Sequence, residues 1–356
     1  MHGLVKDTRA IVTTAGPFWK YGSKVVEFCA KYGTDYVDTT GETGWNKEMI
    51  AKWNKKALQT GSKIISLCGM DSIPWDLTFY KLSQLVNNDV DKNGNDDDYL
   101  VKVDFFDEIK GGISGGTVDT MLSLAIDQKY KEEQYEYDPY YQSVDGRKVI
   151  HKTKDISPAL PKPSIKGDGR WTIPWLMGMV NCEVVKRSNA LLNGPDDTPT
   201  QKKLHYQEFW VQHSFKEAFT TWFATVVSVT ALLNPLSGTP MRKFVLPKPG
   251  QGPPDRSMEK GYLMLTAQGQ SKNGKRVESS FYFPNDPGYK DTARMVVESG
   301  LTLALDADKL PTKGGGFYSP AIGMGDALLE RLCMTGCKFA SRIIETNDGG
   351  GLRSKL

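Results

Sequence analysis

Apolar and polar positions along residues 9–86 follow one repeating grammar, a short apolar run and then an amphipathic segment. RAIVTTAG (9–16), TDYVDTTGE (34–42) and SKIISLCG (62–69) read as strands. YGSKVVEFCAKYG (21–33) puts Val25, Val26, Phe28 and Cys29 on one side of a helix. WNKEMIAKWNKKALQTG (45–61) repeats Met49, Ile50, Trp53 and Leu58 at helical spacing until Gly61 stops it. DSIPWDLTFYKLSQLV (71–86) opens a third helix on a capping sequence. Strands alternating with helices of this length predict βαβ units and a parallel sheet.

The grammar changes after NNDVDKNGNDDD (87–98), a polar boundary loop containing Asn-Gly. LVKVDFFDEIKG (100–111) alternates as a strand, and GGISGGTVDTMLSLAI (111–126) is a glycine turn opening a helix. Residues 129–200 are rich in Tyr, Pro and Lys, and KLHYQEFWVQ (203–212) is strand-like. GYLMLTAQGQ and RVESSFYFPN flank the turn SKNGK as a hairpin, and helices are predicted over 288–305 and 321–345. The organisation expected is a parallel-sheet unit over 1–86 and an α+β unit with a mixed or antiparallel sheet over 87–315. A C-terminal helical segment, 316–346, would pack back on the first unit, and 347–356 form a tail.

Composition narrows the function classes. Basic and acidic side chains nearly cancel, 45 against 42, and no basic cluster interleaves with aromatics, so nucleic acid is not an expected partner. Five cysteines make no disulfide framework and suit a reducing, cytoplasmic setting. Cys333 and Cys337 share a helix face but have no companion ligands, so no metal is expected. MHGLVKDTR lacks the apolar core of a secretory signal. AFTTWFATVVSVTALLNPLSGTPM (218–241) carries no charge, but its apolar heart, Trp222 to Leu233, is about half the ~20 residues a membrane span needs. It reads as a buried helix stopped at Asn234-Pro235 or, alternatively, as an apolar surface lying on lipid.

The candidate chemistry lies at strand ends. Gly16-Pro17, Asp38 with Gly41-Glu42, and Gly69 with Asp71-Ser72 follow three successive strands, and ligands of open parallel sheets bind beyond those carboxyl ends. The same residue types also serve as ordinary turn and cap residues, and Asp71 or Ser72 could simply cap the next helix. Gly111–Thr117 bares backbone N–H groups at a helix start, suited either to an anion or carbonyl oxygen or to close approach of two domains. His151, His205 and His213 have no companion at ligand or triad spacing. The tyrosine-rich KYKEEQYEYDPYYQ reads as a solvated or packing surface.

TTAGPFWKYGSKVVEFCAKYGTDYVDTTGE, SLCGMDSIPWDL, GGISGGTVDTML, LPKPGQGPP, DPGYKDTARMVVESGLTLAL and SPAIGMGDALLERL, in this order over about Thr8 to Leu332, resemble saccharopine dehydrogenase-like oxidoreductases. That group includes the trans-acting enoyl reductases. The resemblance implies the C-terminal part of a Rossmann-type parallel sheet plus a second α+β domain covering the nicotinamide of NAD(P)H. It implies cofactor contacts at Ala15, Gly16, Pro17, Asp38, Gly41, Glu42 and Gly69, and a substrate cleft at Asp71, Ser72, Ser114, Gly115, Gly116 and Thr117. It names no catalytic acid. A lipid-linked unsaturated substrate, with glycolipid synthesis as the theme, and a lipid-droplet or membrane surface are the implied partners; a homodimer is compatible with them.

One departure qualifies this. No Gly-x-Gly-x-x-Gly or Gly-x-Gly-x-x-Ala turn opens a helix after a strand anywhere among the 35 glycines. The family carries that turn on its first strand, so Ile11 would sit on the fourth of six strands, with roughly 90 residues preceding it in the family. The expectation is an N-terminally incomplete oxidoreductase that by itself binds NAD(P)H poorly, with the fourth strand as an open edge. The rival expectation is a non-enzymatic scaffold on a lipid droplet or membrane. Saccharopine metabolism itself is the weaker third reading.

Overall fold

The computed structural model describes residues 2–87, 98–111, 160–164, 166, 168–175, 177–193, 204–234 and 252–344. The glycine turn at Ser114–Thr117 and the helix predicted after it lie outside the described residues.

After a short helix α1 (His2–Lys6) the chain lays down β1 (Ala10–Thr13), α2 (Phe18–Tyr21), α3 (Ser23–Tyr32), β2 (Asp35–Asp38), α4 (Thr43–Thr60), β3 (Lys63–Ile65) and α5 (Ile73–Asn87). The three strands are parallel and in sequence order, as the alternation predicts. Gly33 and Gly61 end α3 and α4 in left-handed conformations, the usual glycine stop. Neighbouring strand residues point to opposite faces. Tyr36 and Ile64 join a core with Val26, Cys29, Trp45 and Met49 of α3 and α4. Val37 and Ile65 face the larger core built from α5 and the C-terminal helices.

The second unit is a seven-stranded mixed sheet. It contains β4 (Leu100–Lys110), β5 (Lys162–Pro163), β6 (Trp171–Pro174), β7 (His205–Gln212), β8 (Tyr262–Ser271) and β9 (Arg276–Phe283). β4 and β7 run parallel, whereas β4–β8, β8–β9 and β6–β7 are antiparallel. Helix α6 (Gly178–Asn193) packs beside α5 on this sheet, α7 (Phe215–Leu233) follows β7, and α8 (Asp255–Lys260) leads into β8. Val103, Phe105, Leu265, Ala267, Val277 and Phe281 face α5, so both units share one core.

The C-terminal third threads back. A π-turn (Pro287–Asp291) leads into α9 (Thr292–Leu305), which lies on β1 and β2. A Cβ at Gly300 would fall 2.3 Å from Val12 Cγ2, so only glycine permits this approach. β10 (Gly316–Phe317) then adds to β3 as a fourth parallel strand, and α10 (Pro320–Met334) packs on α5 and α9.

Two expectations are corrected. The helix predicted to 345 ends at Met334, because Gly336 turns the chain with φ +109°; β11 (Lys338–Ile344) then pairs antiparallel with β9, and Phe339 sets its ring edge-on to Phe281. The apolar segment 218–233 does form a helix, ending at Leu233, but it is not buried: Phe219, Phe223, Val226 and Val227 are 43–56% exposed. Among the described residues no helix is long and apolar enough to cross a membrane. β1 has a strand neighbour only in β2 among the described residues, and Val12 is 44% exposed.

Candidate functional site

The first three strands end at one edge, and their loops are not equivalent. Thr14 to Pro17, after β1, is exposed, so Ala15, Gly16 and Pro17 stand at the surface as a cofactor loop would. Glu42, after β2, turns its carboxylate back to this loop and accepts the N–H groups of Phe18 at 2.9 Å and Trp19 at 2.7 Å. It thus ties the second loop to the first. Gly41 is half-buried, and its carbonyl accepts the Thr43 N–H.

Asp38, expected at the cofactor, is fully buried and committed internally. Its two oxygens accept the Tyr36 hydroxyl at 2.8 Å, the Thr40 N–H at 3.0 Å, the Ser66 hydroxyl at 3.1 Å and the Leu67 N–H at 3.2 Å. Burial pushes this carboxyl up to about 6 against those four donors. It is a strut between β2 and β3, and it holds Leu67 at φ +66°, a conformation that costs a branched residue on the order of 1–2 kcal/mol.

Gly69 is buried, and a Cβ there would meet Thr292 Cγ2 at 3.4 Å, so protein rather than open cleft adjoins it. Ser72 is also buried and donates its hydroxyl to the Asp71 carbonyl. Asp71 is pushed up to about 7 by burial, eased by the Trp175 indole, and its Oδ1 meets no donor.

A narrow cleft, with free space of about 20 Å³ inside it, opens beyond the ends of β3 and β10. Thr43 from α4, Leu67, Glu183 and Arg187 from α6, and Tyr318 and Ser319 before α10 line it. Asp76 of α5 pins the wall together: it accepts the Ala321 N–H at 2.8 Å and the Ser188 hydroxyl, which in turn meets the Ser319 hydroxyl at 2.5 Å. Glu183 is pushed up to about 7 by burial, against a Thr43 hydrogen bond and the charges of Lys186 and Lys47. Its Oε2 is buried and has no hydrogen-bond partner.

Deeper, Asp107 of β4 and Glu208 of β7 meet on the sheet face beneath α5 and α6. Glu208 receives the Asn181 amide at 2.9 Å and the Tyr206 hydroxyl. Neither Asp107 oxygen meets a donor at hydrogen-bond distance, although the Trp75 indole is near enough to favour its charged form. Burial first, then the neighbouring carboxylate, hold Asp107 well above the usual carboxylate range, and Glu208 lies at about 7. Two carboxylates packed this closely and away from water favour the protonated form of one of them.

Of the residues expected at the site, the exposed loop Ala15–Pro17 and Glu42 stand together, whereas Asp38 and Gly69 face inward. Glu183, Arg187, Tyr318 and Ser319 were missed. Val180, Val184 and Ser188 recur at four-residue spacing and could have revealed α6. The loop after β1 is exposed, and Ala15, Gly16 and Pro17 are not among the residues that line the cleft. For the pyrophosphate of a dinucleotide the sequence has no Gly-x-Gly-x-x-Gly turn.

No family model matches the chain. A protein of Mycobacterium tuberculosis assigned as a trans-acting enoyl reductase is 35% identical over 94% of this chain and 80% of its own length. The trans-acting enoyl reductases of Mycobacterium ulcerans and Mycobacterium leprae are 32% and 31% identical, covering 94% of this chain and 80% and 81% of theirs. In structure the chain resembles the apo saccharopine dehydrogenase (L-Glu forming) of Saccharomyces cerevisiae, with TM-score 0.52 and 10% identity over 97% of this chain and 86% of that one. The fold likeness and the sequence relationship agree: the chain belongs to the trans-acting enoyl reductase family of oxidoreductases.

Proposed function

We propose that the protein reduces a carbon–carbon double bond conjugated to a carbonyl, on a lipid-linked acyl substrate, at the expense of NAD(P)H. The observation that carries this reading is the cleft itself. It opens where open parallel sheets bind ligands, is walled by a helix of the second unit, and contains backbone strain and a carboxyl titrating near neutrality. When bound, a reduced nicotinamide supplies a hydride to one carbon of the double bond. The chain contributes the exposed Ala15–Pro17 loop, anchored through Glu42, and a cleft lined by Leu67, Thr43 and Tyr318. The exposed apolar side chains of α7 support lipid-like surroundings for the protein.

The test is absorbance loss of NADPH with an α,β-unsaturated acyl thioester. NADPH is supplied at millimolar concentration because the sequence has no glycine fingerprint. Saturated thioester formed in proportion to NADPH consumed is the expected result. Absence of turnover with both short- and long-chain enoyl thioesters overturns the reading.

A further inference from the structure

Reduction of an enoyl group needs a proton as well as a hydride. When the hydride adds to the β-carbon, the electrons of the double bond move toward the carbonyl oxygen, and the α-carbon must then take a proton. We infer that Glu183, whose side chain lines the cleft between α6 and the parallel sheet, is the acid that delivers this proton. The inference rests on the reading of the protein as an enoyl reductase.

Four observations select Glu183. It lines the cleft one turn from Arg187, opposite Leu67 and beside Thr43, the first residue of α4 after the Glu42 loop. Its Oε2 is buried and bonds to nothing in the protein, so the proton it carries has no internal acceptor. Thr43, which also lines the cleft, is near enough to favour the carboxyl's ionised form. Burial keeps the group neutral up to about pH 7, so it is an acid at the pH where it would act.

The other candidates are placed less well. The Tyr318 hydroxyl already donates to the Gly315 carbonyl at 2.8 Å, and burial moves it further from neutrality. Asp107 and Glu208 pair with each other on the sheet face beneath α5 and α6, outside the cleft lining. Asp71 titrates near neutrality but does not line the cleft either. The charged groups acting on Glu183 are Lys186 on its own helix and Lys47 on α4; Arg187 lines the same cleft. The two lysines favour its ionised form and therefore stabilise the carboxylate left after proton transfer. Solvent then reprotonates it, and the overall change is one hydride and one proton added across the double bond.

The experiment compares the wild-type protein with E183Q and E183D, using NADPH and an enoyl thioester. E183Q should lower kcat by about 10²–10⁴-fold with KM nearly unchanged, and E183D should retain part of the rate. Wild-type kcat should fall as pH rises above about 7, and the residual rate of E183Q should be flat there. Independently of turnover, ¹³C NMR of labelled glutamate carboxyls should show one resonance titrating near neutral pH that E183Q removes. A wild-type protein that turns over while E183Q matches it within threefold overturns this inference alone, as does a Glu183 resonance already ionised at pH 5. A wild-type protein that consumes no NADPH overturns the functional reading beneath it.

Discussion

The Glu42 carboxylate accepts the backbone N–H of Phe18 at 2.9 Å and that of its neighbour Trp19 at 2.7 Å, joining the loops after the first two strands. An acceptor there satisfies two donors at the start of α2, which no side chain within that turn caps. Glu42→Ala should cost about 1–2 kcal/mol of stability in urea unfolding. It should also weaken NADPH affinity, because the Ala15–Pro17 loop loses its anchor. Unchanged NADPH titration would show that the loop is positioned without Glu42.

Asp38 makes a different prediction from the one its strand-end position suggests. Four donors converge on its carboxylate inside the protein. Asn in its place offers one acceptor oxygen and turns an NH₂ toward donors that need an acceptor. Asp38→Asn should therefore destabilise by about 2–4 kcal/mol, a stability effect before any effect on cofactor. Equal urea midpoints with weakened NADPH binding would contradict it.

The Asp107–Glu208 pair predicts how stability depends on pH. Unfolded carboxyls ionise near pH ~4, whereas these two are held higher by burial, Glu208 to about 7. Between those values the native state binds more protons than the unfolded chain. Stability contributed by the pair is therefore full below pH ~4 and falls as pH rises through the folded values, by up to about 1.4 kcal/mol per pH unit per group. Asp107→Asn should leave stability at pH 5 within about 1 kcal/mol of wild type and make the protein relatively more stable at pH 8. Parallel stability–pH curves for the two proteins would refute a shared proton.

The exposed face of α7 predicts lipid association. Phe219 and Phe223 stand out on a helix with no charge after Glu217. The double substitution Phe219→Glu, Phe223→Glu should cost only about 1–2 kcal/mol, the loss of ring contacts among Phe215, Phe219, Trp222 and Phe223. It should abolish flotation with phosphatidylcholine vesicles if the face lies on lipid. Wild-type protein that stays unbound in the flotation gradient would refute that role.

Legibility in the sequence varied with the range of the interactions involved. The three βα units and the β8–β9 hairpin could be read directly, since apolar periodicity, Gly33, Gly61 and the Asn-Gly turn act within a few residues. The strand Lys338–Ile344 is not legible locally, because its reason to be extended is β9, about 60 residues earlier. The exposure of α7 was equally hidden, since a hydrophobic run does not say whether anything covers it.

The sequence by itself determined the repeating local elements, the balance of charge and the family relationship, all properties of neighbouring residues and their order. Only the tertiary structure decided the chemistry. Thr43, Leu67, Glu183 and Tyr318 come from separate stretches of the chain and meet in one cleft because β10 and α6 close over the ends of the first strands. Whether a carboxyl is a strut, as at Asp38, or a neutral acid, as at Glu183, depends on which donors surround it and how much water is excluded. Both are set by packing between distant segments and cannot be read from spacing.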